Sequence, residues 1–178
     1  MTHELSISAA FRRLAVAALL LFAAAQTPTL ASGNAGLGAP SGQIVLSVVG
    51  ESVHGNRAGA ADFDRDMLDH LPRTTVETET EWTDGVQRFE GVLLKDILDA
   101  VGIHEPCDVR AVALNDYVIG IPADDMRRTD VLVADRHNGE PMAIRNKGPL
   151  WIIYPDSSGV DDRADKMIWQ LRTLEVLD

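Results

Sequence analysis

The 178-residue chain contains one cysteine, Cys107, few aromatic residues (5%) and a deficit of positive charge. A single thiol excludes a disulfide framework, a cysteine-rich zinc site and a cysteine-ligated iron–sulfur cluster. Lys and Arg number 16 against 27 Asp and Glu, a formal net charge of −11. Nucleic-acid backbones and anionic lipid surfaces both select clustered cations, so neither is a partner for so acidic a chain. No G-x-S-x-G elbow, Walker phosphate loop or H-E-x-x-H helix occurs. His54, His70, His104 and His137 stand apart, without the ligand spacing of a histidine metal site. The stretch from Asp156 to Asp165 has the charge of a calcium loop, but Gly159 is not where such a loop needs its glycine. It reads as a solvated acidic loop. Apolar content is ordinary at 46% and no short repeat is present, which excludes collagen-like, coiled-coil and disordered classes.

The apolar run Leu14–Ala25 follows Arg12 and Arg13 and is followed by Gln26-Thr27-Pro28 and Thr29-Leu30-Ala31. A membrane span needs about 20 apolar residues, and this run is too short. A charged start, a short apolar core and a small-x-small end form a secretory signal peptide, with cleavage expected near Ala31. Cleavage removes Glu4, Arg12 and Arg13, so the net charge moves from −11 to −12, with no membrane insertion afterwards. Residues 32–42, rich in Gly, Ser and Ala, read as a flexible leader, and residues 43–178 as one domain.

Within that domain the pattern is mostly that of strands. Residues 43–53 read as a first strand with Ile44, Leu46 and Val48 on one face. Asp62 or Asp64 caps a short helix that runs to His70 and stops before Pro72. From Thr75 to Trp82, Val76, Thr78, Thr80 and Trp82 share an inward face while Glu77, Glu79 and Glu81 share a solvated one. The segment Phe89-Glu90-Gly91-Val92 leads into a helix with the apolar stripe Leu93, Leu94, Ile97, Leu98 and Val101, closed by Gly102. Residues 109–121 form a strand pair interrupted by Asn115-Asp116, and a short helical turn after residue 124 precedes a strand over 131–134. Asn138-Gly139 signals a hairpin. Residues 150–154 and 167–176 read as the last two strands. The fold class is α+β, mostly β, with two or three helices and no βαβ rhythm.

Polar and aromatic groups gather at the ends of these strands: Trp82-Thr83, Asn115-Asp116-Tyr117, Arg145, Lys147 before Gly148-Pro149, and Trp169-Gln170. A flat heteroaromatic ligand needs an aromatic face and paired edge groups, and the guanidine-like edge of a pterin suits a carboxylate such as Asp116. Each residue also has a plain structural reading. Trp82 and Trp169 suit a core, Asn115-Asp116 a turn and Arg145 a surface charge.

The blocks T-x-T-x-W-T-x-G, F-E-G-V-L-L-K-D-I-L, A-L-N-D-Y, I-P, R-N-K-G-P-L-W-I-I-Y-P and W-Q-L-R-T-L-E-V follow in order over residues 78–176. This succession resembles the small exported relatives of the sulfite oxidase-type molybdopterin-binding fold. The resemblance implies layered mixed β-sheet and a pterin site of Thr80, Trp82, Asn115, Asp116, Tyr117, Arg145, Lys147 and Trp169. In it, Trp82 and Trp169 wall the ring, Asp116 holds its donor edge, and Asn115, Tyr117 and Arg145 orient it. Catalytic relatives hold molybdenum on a cysteine in the strand before the helix; here Thr78 or Thr80 occupies that region, and Cys107 follows the helix. A hydroxyl replaces neither the softness nor the charge of a thiolate, which argues against bound molybdenum and redox catalysis. The 16 cationic residues, outnumbered by acidic ones, offer little for a cofactor's phosphate tail, although Arg145, Lys147, Arg163 and Lys166 could form a local patch. Cysteine-lacking relatives resemble periplasmic pterin-binding proteins that act on an inner-membrane enzyme of cyclic di-GMP signalling. The expected function is therefore that of a periplasmic pterin sensor. The alternative is a molybdopterin-dependent oxidoreductase or its accessory subunit.

Overall fold

The computed structural model describes residues 37–177. The signal-peptide expectation and the first part of the leader lie outside these residues. Ten strands occur among the described residues: β1 (Leu46–Val49), β2 (Ala60–Phe63), β3 (Arg73–Thr78), β4 (Gln87–Leu93), β5 (Asp108–Ala113), β6 (Val118–Ile121), β7 (Leu132–His137), β8 (Glu140–Pro141), β9 (Trp151–Ile153) and β10 (Leu171–Leu177). Four short helices join them: α1 (Arg65–Asp69), α2 (Leu94–Ala100), α3 (Ala123–Arg128) and α4 (Arg163–Lys166). One five-stranded sheet has the order β2-β1-β10-β5-β6, and β1 and β10 pair in parallel. The other runs β3-β4-β7-β8, with β9 also on β7. A mostly β, α+β fold is what the strand-rich pattern anticipated, and the mixed sheet is what the resemblance implied.

Leu46 and Val48 are fully buried in β1, whereas Ile44 lies before the strand and is half exposed. The leader's last residues are tied to the domain. Backbone N–H groups of Ser41 and Gly42 donate to Asp64 Oδ2 at 2.7 and 2.8 Å. Asp64, rather than Asp62, caps α1 by accepting from the Met67 N–H at 2.9 Å. Asp62 belongs to β2 and pairs with Arg57. The alternation from Val76 to Thr80 is reproduced in burial, but pairing ends at Thr78, earlier than expected.

Two elements differ in kind from the sequence reading. The lead-in to the main helix is the full strand β4, paired on both sides by β3 and β7. Gly91, Val92 and Leu93 are all buried, so this central strand lacks the alternation that marks a one-sided one. At Gly91 a Cβ would stand 2.0 Å from the Val133 carbonyl oxygen, so only glycine lets β7 come this close. The acidic stretch after Asp156 is not all loop: Arg163–Lys166 forms α4. Gly102 ends α2 as expected, at φ +84°, while the Ile103 and Gly102 N–H groups donate to the carbonyls of Leu98 and Asp99. That pairing is a Schellman cap.

The last expected strand also begins later. Trp169 makes only an isolated bridge to Trp151, and Gln170 has φ 53°, so β10 starts at Leu171. Segment 168–171 nevertheless runs beside residues 147–152: Ile152 N donates to Ile168 O, Leu171 N to Leu150 O, and Gln170 N to Lys147 O. It thereby links β9 of one sheet to β10 of the other.

Candidate functional site

Where this link passes the end of β5, a cleft of about 300 Å³ opens, lined by Trp82, Ala113, Asn115, Tyr117, Ala164, Asp165, Ile168 and Trp169. Its walls come from the end of β5 and the turn after it, the turn between β3 and β4, the link at Ile168 and Trp169, and α4. Trp82 arrives on a turn shaped by Thr80, whose hydroxyl accepts from the Trp82 N–H at 3.2 Å and shares a hydrogen bond with Thr83 Oγ1 at 2.8 Å. Asn115 and Tyr117 arrive on the β5–β6 turn, where Ala113 N donates to Tyr117 O and Asp116 N to Ala113 O. Asn115 Oδ1 accepts from the Tyr117 N–H at 3.2 Å.

All three tryptophans of the chain meet here. Trp82 and Trp169 lie edge-to-face with ring centroids 5.1 Å apart, and Trp151 lies behind them at 6.1 and 6.3 Å. Such tilted pairs align ring edges with ring faces and add about 0.5–1.5 kcal/mol each beyond burial. Trp151 is fully buried, and its indole N–H donates to the Met167 carbonyl at 3.0 Å. Lys147, at φ 67°, places its ammonium 4.4 Å from the Trp169 centroid and 5.4 Å from that of Trp151. This is a cation–π contact that helps orient the indoles.

Helix α4, the remaining wall, is held from its far side. Lys166 Nζ donates to Asp125 Oδ2 at 2.9 Å and to Asp162 at 2.8 Å, and the buried Tyr154 hydroxyl donates to Asp125 Oδ2 at 2.9 Å. Burial works to lower the Lys166 pKa, yet the hydrogen bonds to Asp162 and Asp125 outweigh it and hold it above its ordinary value. Burial first, then the Asp125 charge, pushes the Tyr154 phenol far above its usual range. Arg163 donates to the Asp156 carboxylate and to the carbonyls of Glu79 and Tyr154. Four residues of one turn thus acquire a fixed position that an isolated helix of this length would not have.

Of the residues singled out in the sequence, Trp82, Asn115, Tyr117 and Trp169 line the cleft together. Thr80 sits behind Trp82, and Lys147 lies over Trp169 without lining the cleft. Asp116 turns away to pair with Arg172, and Arg145 is exposed on the 3-10 turn Ile144–Asn146, outside the lining. Sequence reasoning missed Ile168, Ala164 and Asp165. The last two fall in the stretch taken for a solvated loop, where nothing distinguishes one aspartate from its acidic neighbours. Thr78 and Thr80 both spend their hydroxyls on structure, since Thr78 Oγ1 accepts from the Asp156 N–H at 3.0 Å. Cys107 lies between α2 and β5, partly buried against the core and away from the lining.

A two-sheet α+β fold with an aromatic cleft at the sheet junction agrees with the family comparison. Residues 54–176 match the model of the oxidoreductase molybdopterin binding domain, and the chain belongs to that family. Among solved structures it is similar to the crystal structure of the sulfane dehydrogenase SoxCD from Paracoccus pantotrophus, at 22% identity and a TM-score of 0.56. That similarity covers 75% of this chain but 38% of the SoxCD chain, and it establishes the shared sulfite oxidase-type fold. No curated protein matches the chain. The cleft suits the flat bicyclic end of a molybdopterin-type group, with two indoles for faces and an amide, a phenol and a carboxylate at the edges. No cysteine is among the residues that line it.

Proposed function

We propose that the domain binds a pterin, reduced or molybdopterin-like, in the Trp82–Trp169 cleft and does so as a ligand sensor without redox catalysis. One observation carries this reading: the two indoles, Asn115 and Tyr117 converge on one cleft, while the sole thiol lies elsewhere. The ring would lie against the indoles, with Asn115 and Tyr117 offering groups to its edge. Export by the N-terminal segment would put this site in the periplasm. The resemblance to cysteine-lacking relatives extends the reading to a partner, the periplasmic part of an inner-membrane cyclic di-GMP enzyme. An acidic domain meets a basic partner surface by electrostatic complementarity.

Titration of a reduced pterin against the chain, followed by tryptophan fluorescence, tests the binding. Saturable quenching is expected, weakened about tenfold in Trp169→Ala, the equivalent of ~1.4 kcal/mol. Absence of binding up to millimolar pterin would overturn the reading. Membership of the molybdopterin-binding family favours a second one, a molybdopterin-dependent oxidoreductase or its accessory subunit. Stoichiometric molybdenum in protein purified from its native compartment would establish that second reading instead.

A further inference from the structure

The cleft is lined by one charged side chain, and it is a carboxylate. Asp165 is exposed on α4, and its side chain has no hydrogen bond or ion pair to a described residue. The other polar lining groups, Asn115, Tyr117 and the two indoles, are uncharged. Four cations of the neighbouring elements are committed elsewhere. Arg163 holds Asp156 and two carbonyls, Lys166 holds Asp125 and Asp162, and Arg172 holds Asp116. Lys147 lies over the Trp169 ring. Arg145, Lys147, Arg163 and Lys166 therefore form no patch for a phosphate tail in the cleft: two anchor α4, one lies over an indole, and Arg145 is outside the lining. The whole chain adds a background of −11.

We propose that this cleft selects flat ligands that are uncharged or cationic and discriminates against phosphorylated ones, with Asp165 as the residue that sets the preference. Two effects act together. A carboxylate accepts a pair of hydrogen bonds from an edge carrying adjacent N–H donors, such as the 2-amino-pyrimidinone edge of a pterin. The same charge repels a phosphate, which brings about −1.5 to −2 at neutral pH. A dephosphorylated pterin satisfies both, whereas intact molybdopterin or a nucleotide fails the second. The identity of the ring rests on the pterin reading above; the charge preference does not.

The full chain, its Asp165→Asn variant and four probes test this by tryptophan fluorescence. The probes are dihydroneopterin and its monophosphate, and a pair of flat aromatics unrelated to pterins: cationic proflavine and anionic anilinonaphthalene sulfonate. Wild type is expected to prefer dihydroneopterin over its phosphate, and proflavine over the sulfonate, by about tenfold or more. Both preferences should shrink with added salt, because the site is open to solvent. In Asp165→Asn, which keeps the side chain's size, they should fall to about threefold or less. Equal or tighter binding of the phosphate, or an unchanged preference in Asp165→Asn, overturns the proposal while leaving pterin binding intact. Failure of both pterins, with proflavine still favoured through Asp165, sinks the pterin reading and leaves the charge preference standing. If no probe binds, both fall.

Discussion

Replacing Lys166 by Met removes the cation that holds α4 against the body of the domain. Asp125 is 5% exposed, and its Oδ2 accepts from both Lys166 and the Tyr154 hydroxyl at 2.9 Å. Met fills much of the lysine's volume but leaves that carboxylate buried with only the phenol for compensation. Breaking one side of a buried pair costs about 3–5 kcal/mol, chiefly through the stranded charge. The retained tyrosine bond and the slight exposure of Lys166 place the expected loss near the lower end, about 3 kcal/mol. A domain of this size loses about 3–4 °C in Tm per kcal/mol, so thermal unfolding should begin about 10 °C earlier. Circular dichroism and urea titration of Lys166→Met measure the two quantities independently. The double variant Asp125→Asn/Lys166→Met should regain at least half of the loss, because a neutral amide has no stranded charge. A single-variant cost below about 1 kcal/mol would refute the reasoning, placing the pair with ordinary surface ion pairs. So would a double variant no more stable than the single one.

Three other outcomes follow from the packing. Gly91→Ala should destabilise the domain by about 3 kcal/mol or more, because its Cβ would meet the Val133 carbonyl oxygen at 2.0 Å; chemical denaturation measures this. Arg73→Met should cost a comparable amount, since Arg73 donates to both oxygens of Asp135, which is 2% exposed; the same denaturation series checks it. His137 stacks on Phe89 at 4.9 Å, and burial lowers its pKa below the ordinary 6.5. The unfolded chain therefore binds the extra proton first, so stability should fall as pH drops through 6.5 toward the folded-state value. Urea midpoints between pH 7.5 and 5.5 should show a shallower decline in His137→Gln; identical slopes would exclude His137 as the cause.

Strands that bury one face and expose the other, such as β1 and β3, are legible in the chain by their alternation. The Val76, Thr78, Thr80 series and its opposing glutamates are read correctly for that reason. Gly102 and Asn138-Gly139 are legible through backbone geometry, since both elements need positive φ, and the hairpin residues have φ 52° and 85°. Strand β4 is not legible as a strand: it runs without a break into α2, and its buried Gly-Val-Leu end joins the helix stripe in a single apolar run. The site divides along similar lines. Trp82, Asn115, Tyr117 and Trp169 are marked by residue type at strand ends. Asp165 carries no such mark, because its place depends on two long-range anchors, Lys166 to Asp125 and Arg163 to the Glu79 carbonyl. Asp116, identical in chemistry, is diverted by Arg172, which lies 56 residues away in sequence.

The parallel pairing of β1 with β10 has a consequence for how the domain comes into being. The two strands are neighbours in the interior of one sheet, with Ser47 opposite Thr173 and Val49 opposite Glu175. During synthesis, β1 can close the local β2 ribbon at once, but its other edge stays unsatisfied until β10 has emerged. Pairings of this separation are slow to form because the intervening chain must first be brought together. Cooperative folding of this sheet therefore waits for β10. Removing β10 from a truncated product should leave β1 and β5 both with open edges, inviting association with other chains instead of a smaller stable domain.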